Sequence, residues 1–181
     1  MGTPKALLRF ENETFLDRMI RLFEAVCDPI IVVLGHNSEQ IRGGIERGSR
    51  VVFATNPDPE RGMLSSLQCG LAAVPDVAEA VMFTPVDHPA IQSATLERLT
   101  ARFLVDRAPV TVPAYEGRHG HPVCIARPLI AELMALPATA QASEIIHRYR
   151  GETSYLAVDD PGVTSDVDDP KAYAELIAHR P

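Results

Sequence analysis

Asp87 stands in T-P-V-D-H-P (residues 84–89), immediately beyond an apolar run. A carboxylate just after a buried strand can hold a hard, oxygen-loving cation such as Mg²⁺ against phosphates. Asp between prolines is equally an ordinary turn former. A second acidic group, Asp166, Asp168 and Asp169, precedes Pro170 at a helix start, where interaction with the helix dipole is the simpler reading. In residues 56–71 (N-P-D-P-E-R-G-M-L-S-S-L-Q-C-G-L), Gly62, Ser65 and Ser66 could cap a helix. They could also offer hydroxyls and a helix N-terminus to an anion or a ribose. R-H-G-H-P (residues 118–122) holds two imidazoles, His119 and His121, but no third ligand follows at a spacing recognisable for zinc. Lys5, in M-G-T-P-K (residues 1–5), is by itself an exposed lysine, and Cys69 reads most simply as a small core residue. Each signal is weak alone.

The elements that must position these residues alternate. Residues 29–34 (P-I-I-V-V-L), 50–54 (R-V-V-F-A) and 80–83 (A-V-M-F) read as strands apolar on both faces. Between them, residues 15–26 carry Phe15, Met19, Leu22, Phe23 and Val26 on one stripe of a helix. Residues 63–73 form a second helix and residues 94–105 a third, with Ser93 as its cap. The back half adds strands at 110–114 and 122–126, joined through a Gly-containing turn that predicts a hairpin and a partly mixed sheet. Helices at 129–136 and 144–149, a strand at 153–158 and a helix after Pro170 complete the pattern. The fold class is α/β, built from right-handed βαβ units. In such sheets ligands bind beyond the carboxyl ends of the strands, where the chemistry-bearing segments fall.

At 181 residues with 46% hydrophobic side chains, the chain is read as a single domain, residues 1–181, with a sizeable core. Seventeen Lys and Arg against 24 Asp and Glu leave a net charge of −7, which argues against nucleic-acid and membrane-surface partners. The longest apolar run, residues 30–34, is too short to span a bilayer, and no basic-then-apolar leader opens the chain. Cys27, Cys69 and Cys124 are odd in number and form no C-x-x-C pair, as expected of a reducing cytoplasm.

In order along the chain stand M-G-x-P-K followed by two leucines, N-P-x-x-x-x-G-M-x-x-S-L-x-x-G-L, D-x-P after a strand, G-H-P-V, and D-x-D-x-P. This succession, from Met1 to about Leu176, resembles the molybdenum cofactor nucleotidyltransferases, and most closely their cytidylyltransferase branch. The G-M-L-S-S-L-Q-C-G-L and G-H-P-V segments are its specific parts. The resemblance implies a Rossmann-like three-layer α/β/α sandwich of the nucleotide-diphospho-sugar transferase type, with a mostly parallel, partly mixed sheet. It implies that a phosphate of molybdopterin attacks the α-phosphorus of a nucleoside triphosphate, CTP in this branch, releasing pyrophosphate with Mg²⁺ as cofactor. By the same resemblance Lys5 neutralises the triphosphate, Asp87 and Asp168 hold the metal, and Gly2, Asn56, Gly62, Ser65 and Ser66 line the nucleotide site. Arg118 and His121 lie where the pterin phosphate approaches, and a molybdenum hydroxylase is the implied downstream partner.

The family pattern opens with a buried strand and a loop like L-A-A-G-x-S-x-R, directly before M-G-x-P-K. Here the sequence starts at Met1, inside that signature. The expectation is therefore a start assigned at an internal methionine, a poorly active chain, and a gap beside the strand ending near Leu34 or the one ending near Phe83. Alternatives are nucleotidyl transfer to another small phosphorylated acceptor, and a non-catalytic module that holds a nucleotide or pterin for a molybdenum hydroxylase. A dinucleotide-dependent oxidoreductase would need G-x-G-x-x-G after a strand, and the sequence has none.

Overall fold

A computed structural model describes residues 2–137 and 139–178; Met1 of the opening motif lies outside them. A turn at Lys5–Leu7 leads into a short hairpin, β1 (Arg9–Phe10) and β2 (Glu13–Thr14), followed by α1 (Phe15–Glu24). Thr14 starts that helix because its hydroxyl accepts the N–H of Asp17 at 3.0 Å. Oδ1 of buried Asp17 accepts the backbone N–H groups of Glu46 and Arg47, tying α1 to the loop after the next helix. The chain continues through β3 (Ile30–Leu34), α2 (Ser38–Gly44), β4 (Val51–Thr55), α3 (Met63–Leu71) and β5 (Ala80–Phe83). Then come α4 (Ser93–Asp106), β6 (Val110–Tyr115), β7 (Arg118–His119), β8 (Val123–Ala126), α5 (Pro128–Met134), α6 (Ala142–Arg148), β9 (Ser154–Ala157) and α7 (Pro170–Ala178).

The α/β class and the succession of elements agree with the sequence reading; details of the boundaries differ. Ser93 is the first residue of α4, not its cap, and no side chain of Gln92 closes the turn. Buried Asp160 performs that service from a distance, accepting Gln92 N–H at 3.0 Å and the Thr95 hydroxyl at 2.6 Å. A cap supplied 68 residues along the chain leaves no local signal. The β1–β2 hairpin and α2 were not predicted; Glu11, in the left-handed region at φ 54°, and Asn12 form the turn that could have disclosed the hairpin.

Pairing divides the strands. β3 and β4 run parallel, with Ile30 opposite Val51 and Leu34 opposite Thr55. A larger sheet follows the order β5-β8-β6-β7, with β9 parallel to β6. Its mixed character centres on β8, antiparallel to both β5 and β6. Among the described residues β3 has β4 as its one strand partner and β5 has β8. Both strands line a cleft of about 1480 Å³. All four residues of β5, apolar as they are, are only half-buried.

Helices cover the sheets. Ile20, Val32, Leu34 and Ile41 pack α1 and α2 against β3, and Leu71, Val110, Ile125, Leu133 and Ile145 join α3, α5 and α6 to the larger sheet. Fully burying such a side chain contributes about 1.5–3 kcal/mol. Among the described residues no helix is long and apolar enough to cross a membrane.

Candidate active site

Three residues far apart in sequence meet beyond the end of β5. The Lys5 ammonium lies 2.5 Å from Asp168 Oδ1 and 3.4 Å from Asp87 Oδ2. Each arrives for a local reason. Lys5 opens the turn that follows Pro4, a turn fixed by Leu7 N–H donating to Pro4 O and Leu8 N–H to Lys5 O. Asp87 follows β5 in the T-P-V-D-H-P loop, and the Asp87 carbonyl accepts Val167 N–H at 2.8 Å. That bond carries the next residue, Asp168, to the site. The helix-dipole reading applies to its neighbour instead, since Asp169 Oδ1 accepts Ala172 N–H at 2.8 Å in the first turn of α7.

The electrostatics follow from this placement. Burial is the largest single effect on Lys5 and pulls its pKa down. Hydrogen bonds and charge attraction from Asp168 and Asp87 together outweigh it, so the ammonium titrates above its ordinary value. The hydrogen bond from Lys5, then its charge, hold Asp168 below the usual carboxylate range. Asp87 Oδ1 is buried without a hydrogen-bond partner.

Two imidazoles stand beside this cluster. His88 is 7% exposed, with Nε2 3.8 Å from Asp87 Oδ1, and its ring centroid lies 4.8 Å from that of His121. Nδ1 of each ring is buried and unpartnered. Burial, reinforced by the neighbouring His88, pushes the His121 pKa down to about 4, so that ring is neutral at pH 7. The G-H-P segment reaches this place because His121 N–H donates to Val163 O at 2.8 Å across a very close backbone approach at Gly120. A Cβ there would lie 2.1 Å from Val163 O. His88 was absent from the predicted site residues, although D-H-P places it directly after Asp87. His119 parts from His121 and stacks on Tyr155, ring centroids 4.4 Å apart.

The predicted nucleotide segment forms a second cluster. Asn56 Nδ2 donates to Ser65 Oγ at 2.8 Å and to Ser66 Oγ at 3.0 Å, while Asn56 Oδ1 accepts Asp58 N–H. The Ser65 hydroxyl donates to Gly62 O at 2.8 Å. Gly62 is the residue in the cap position of α3, at φ 91°, a conformation that favours glycine; Ser65 and Ser66 lie inside the helix. Asn56 and Ser65 are buried behind the surface, whereas Gly62, Ser66 and His121 line the cleft, as does Val86 beside Asp87. Gly2 is exposed, with open space where a Cβ would stand, and Arg118 is exposed on β7. Among the described residues neither forms a hydrogen bond or ion pair with Lys5, Asp87 or Asp168.

The donor set suits a hard divalent cation. Two carboxylates share one ammonium, and one buried carboxylate oxygen lacks a partner. Among the described residues no group of three or more His, Cys, Asp or Glu is arranged to hold a metal. Two oxygen ligands from protein, with phosphates and water completing the shell, is the usual mode for Mg²⁺.

The model of the MobA-like NTP transferase domain matches residues 1–153. Molybdenum cofactor cytidylyltransferase of Escherichia coli (strain K12) is 24% identical over 170 residues, covering 94% of this chain and 85% of that protein. A probable molybdenum cofactor guanylyltransferase of Bacillus cytotoxicus is 27% identical over 117 residues, 65% of this chain and 57% of that protein. Among solved structures, Rv0371c from Mycobacterium tuberculosis H37Rv superposes with a TM-score of 0.83 at 27% identity, over 99% of this chain and 92% of that one. Its complex with manganese superposes at 0.79, also at 27% identity, over 98% and 93%.

Proposed function

The chain belongs to the MobA-like NTP transferase domain family of molybdenum cofactor nucleotidyltransferases, and from that premise we propose that it moves CMP from CTP onto the phosphate of molybdopterin with release of pyrophosphate. A phosphate oxygen of the acceptor attacks the α-phosphorus, the bond from that phosphorus to the bridging oxygen of the β-phosphate breaks, and pyrophosphate leaves in line. Positioning and charge neutralisation supply most of the catalysis in such transfers. The observation that carries the reading is the convergence of Lys5, Asp87 and Asp168.

In this reading Asp87 and Asp168 hold Mg²⁺, which when bound neutralises charge on the phosphate oxygens. Lys5 supplies a second positive charge to the triphosphate. Gly62, with no Cβ, lets the phosphates or ribose approach the backbone at the start of α3, and Ser66 offers a hydroxyl on the cleft wall. Asn56 and Ser65 hold that segment in shape from behind. His121, neutral and partly shielded, donates or accepts a hydrogen bond to the pterin phosphate without adding charge. Arg118, exposed on its hairpin, draws the anionic acceptor in, and Gly2 lies along the triphosphate. The product passes to a molybdenum hydroxylase.

Choice of CTP over GTP rests on the greater share of both chains covered by the cytidylyltransferase relative. Product analysis with each triphosphate, using molybdopterin and Mg²⁺, tests it. The expected product is the cytosine dinucleotide; exclusive use of GTP would overturn the base assignment.

A further inference from the structure

We propose that Lys5 is a tethered cation that fills the divalent-metal site of the free protein and passes from the two carboxylates to the triphosphate when metal and nucleotide bind together. The inference rests on the reading of Asp87 and Asp168 as the metal-holding pair. Among the described residues, Lys5 is the single Lys or Arg within ion-pair reach of either carboxylate. Its ammonium contacts one oxygen of each, so a metal ion shared by those carboxylates would compete for the same acceptors. A divalent cation and an ammonium cannot both sit there without strong mutual repulsion.

The chain around Lys5 is built for such a transfer. The turn at Lys5–Leu7 is fixed by two backbone hydrogen bonds, and Ala6 is buried in the core with Leu16, Ile20 and Ile41. The Lys5 backbone is therefore anchored, while its side chain, 32% exposed, retains four rotatable bonds and a route to solvent. In the free protein the ammonium prevents two carboxylates from facing each other uncompensated. Metal alone must displace it and leave it without an anionic partner. Metal arriving with a triphosphate gives it new acceptors. Lys5 thus opposes metal binding to the free protein and favours it in the presence of nucleotide, which makes the two ligands bind cooperatively, each tightening the other by the same factor.

Mn²⁺ binding, followed by the paramagnetic resonance signal of the free aqua ion, separates these roles. The titration is run on the wild type, Lys5→Met, Lys5→Arg and the double variant Asp87→Asn/Asp168→Asn, each with and without α,β-methylene CTP. Circular dichroism establishes that each variant is folded. Lys5→Met is expected to tighten Mn²⁺ binding to the free protein by about fivefold or more and to shrink the mutual tightening of Mn²⁺ and nucleotide. Lys5→Arg keeps the charge and should stay within about twofold of wild type without nucleotide. Unchanged or weaker Mn²⁺ binding in Lys5→Met, or equal tightening in both Lys5 variants, would overturn the proposal. Mn²⁺ binding by the double variant equal to wild type would overturn the metal site itself, and this inference with it.

Discussion

The backbone carbonyl of Asp87 accepts the N–H of Val167 at 2.8 Å, joining the loop beyond β5 to the entrance of α7. One hydrogen bond between residues 80 positions apart thus sets the spacing of the two carboxylates that share Lys5. Main-chain atoms make this contact, so side-chain substitutions can remove the charges while leaving the frame in place.

Gly120 is the corresponding close approach on the other flank. Adding a methyl group would bring a Cβ to 2.1 Å from Val163 O, and neither backbone is free to retreat without breaking the bond from His121 N–H to Val163 O. Gly120→Ala should cost about 1–3 kcal/mol, as over-packing does. Urea denaturation measures the loss. A midpoint unchanged from wild type would show that the two segments are not held together.

Acid should destabilise the protein partly through His121. Its pKa is near 4 in the fold against 6.5 ordinarily, so between those values the unfolded chain takes up a proton that the native protein refuses. Its contribution is complete above about pH 6.5 and is lost as pH falls toward 4. The maximum is about 3 kcal/mol before solvent screening reduces it. Asp168, held low by Lys5, adds a further loss in acid. His121→Gln should flatten the dependence of unfolding free energy on pH between 6.5 and 4 by close to one proton. Identical slopes in both proteins would rule out a buried neutral ring.

The facing edges of β3 and β5 should be visible in hydrogen exchange. Each strand pairs on one side among the described residues, whereas β6 is paired to β8, β7 and β9. Amides of β3 and β5 that do not serve β4 or β8 should exchange at least about tenfold faster than those of β6. Uniform protection across the three strands would mean that the cleft between β3 and β5 is closed in solution.

Legibility differed by the range over which each feature is specified. Runs such as I-I-V-V-L and A-V-M-F disclosed β3 and β5 because a buried strand writes its apolarity continuously. The motifs singled out Lys5, Asp87 and Asp168, whose side chains meet in the fold, yet the hydrogen bond that gathers them joins main-chain atoms and has no residue signature. Ser93 looked like a cap because capping is usually local, while here Asp160 closes α4 from across the fold. The partners of the Ser65 hydroxyl could not be read from its neighbours in sequence; it donates to Gly62 O and accepts from Asn56. His88 was overlooked because an imidazole beside a proline resembles any turn, and its meeting with His121 depends on the glycine approach 32 residues later.

Asp87, the carboxylate that follows β5, is proposed to belong to the catalytic machinery. Pyrophosphate release and dinucleotide formation from CTP, molybdopterin and Mg²⁺ should be measured for the wild type and for Asp87→Asn, which keeps shape and removes charge. The expected result is one pyrophosphate per dinucleotide in the wild type and a loss of at least about 10²-fold in the variant, with its thermal midpoint near that of the wild type. Equal turnover by the two proteins would contradict the account.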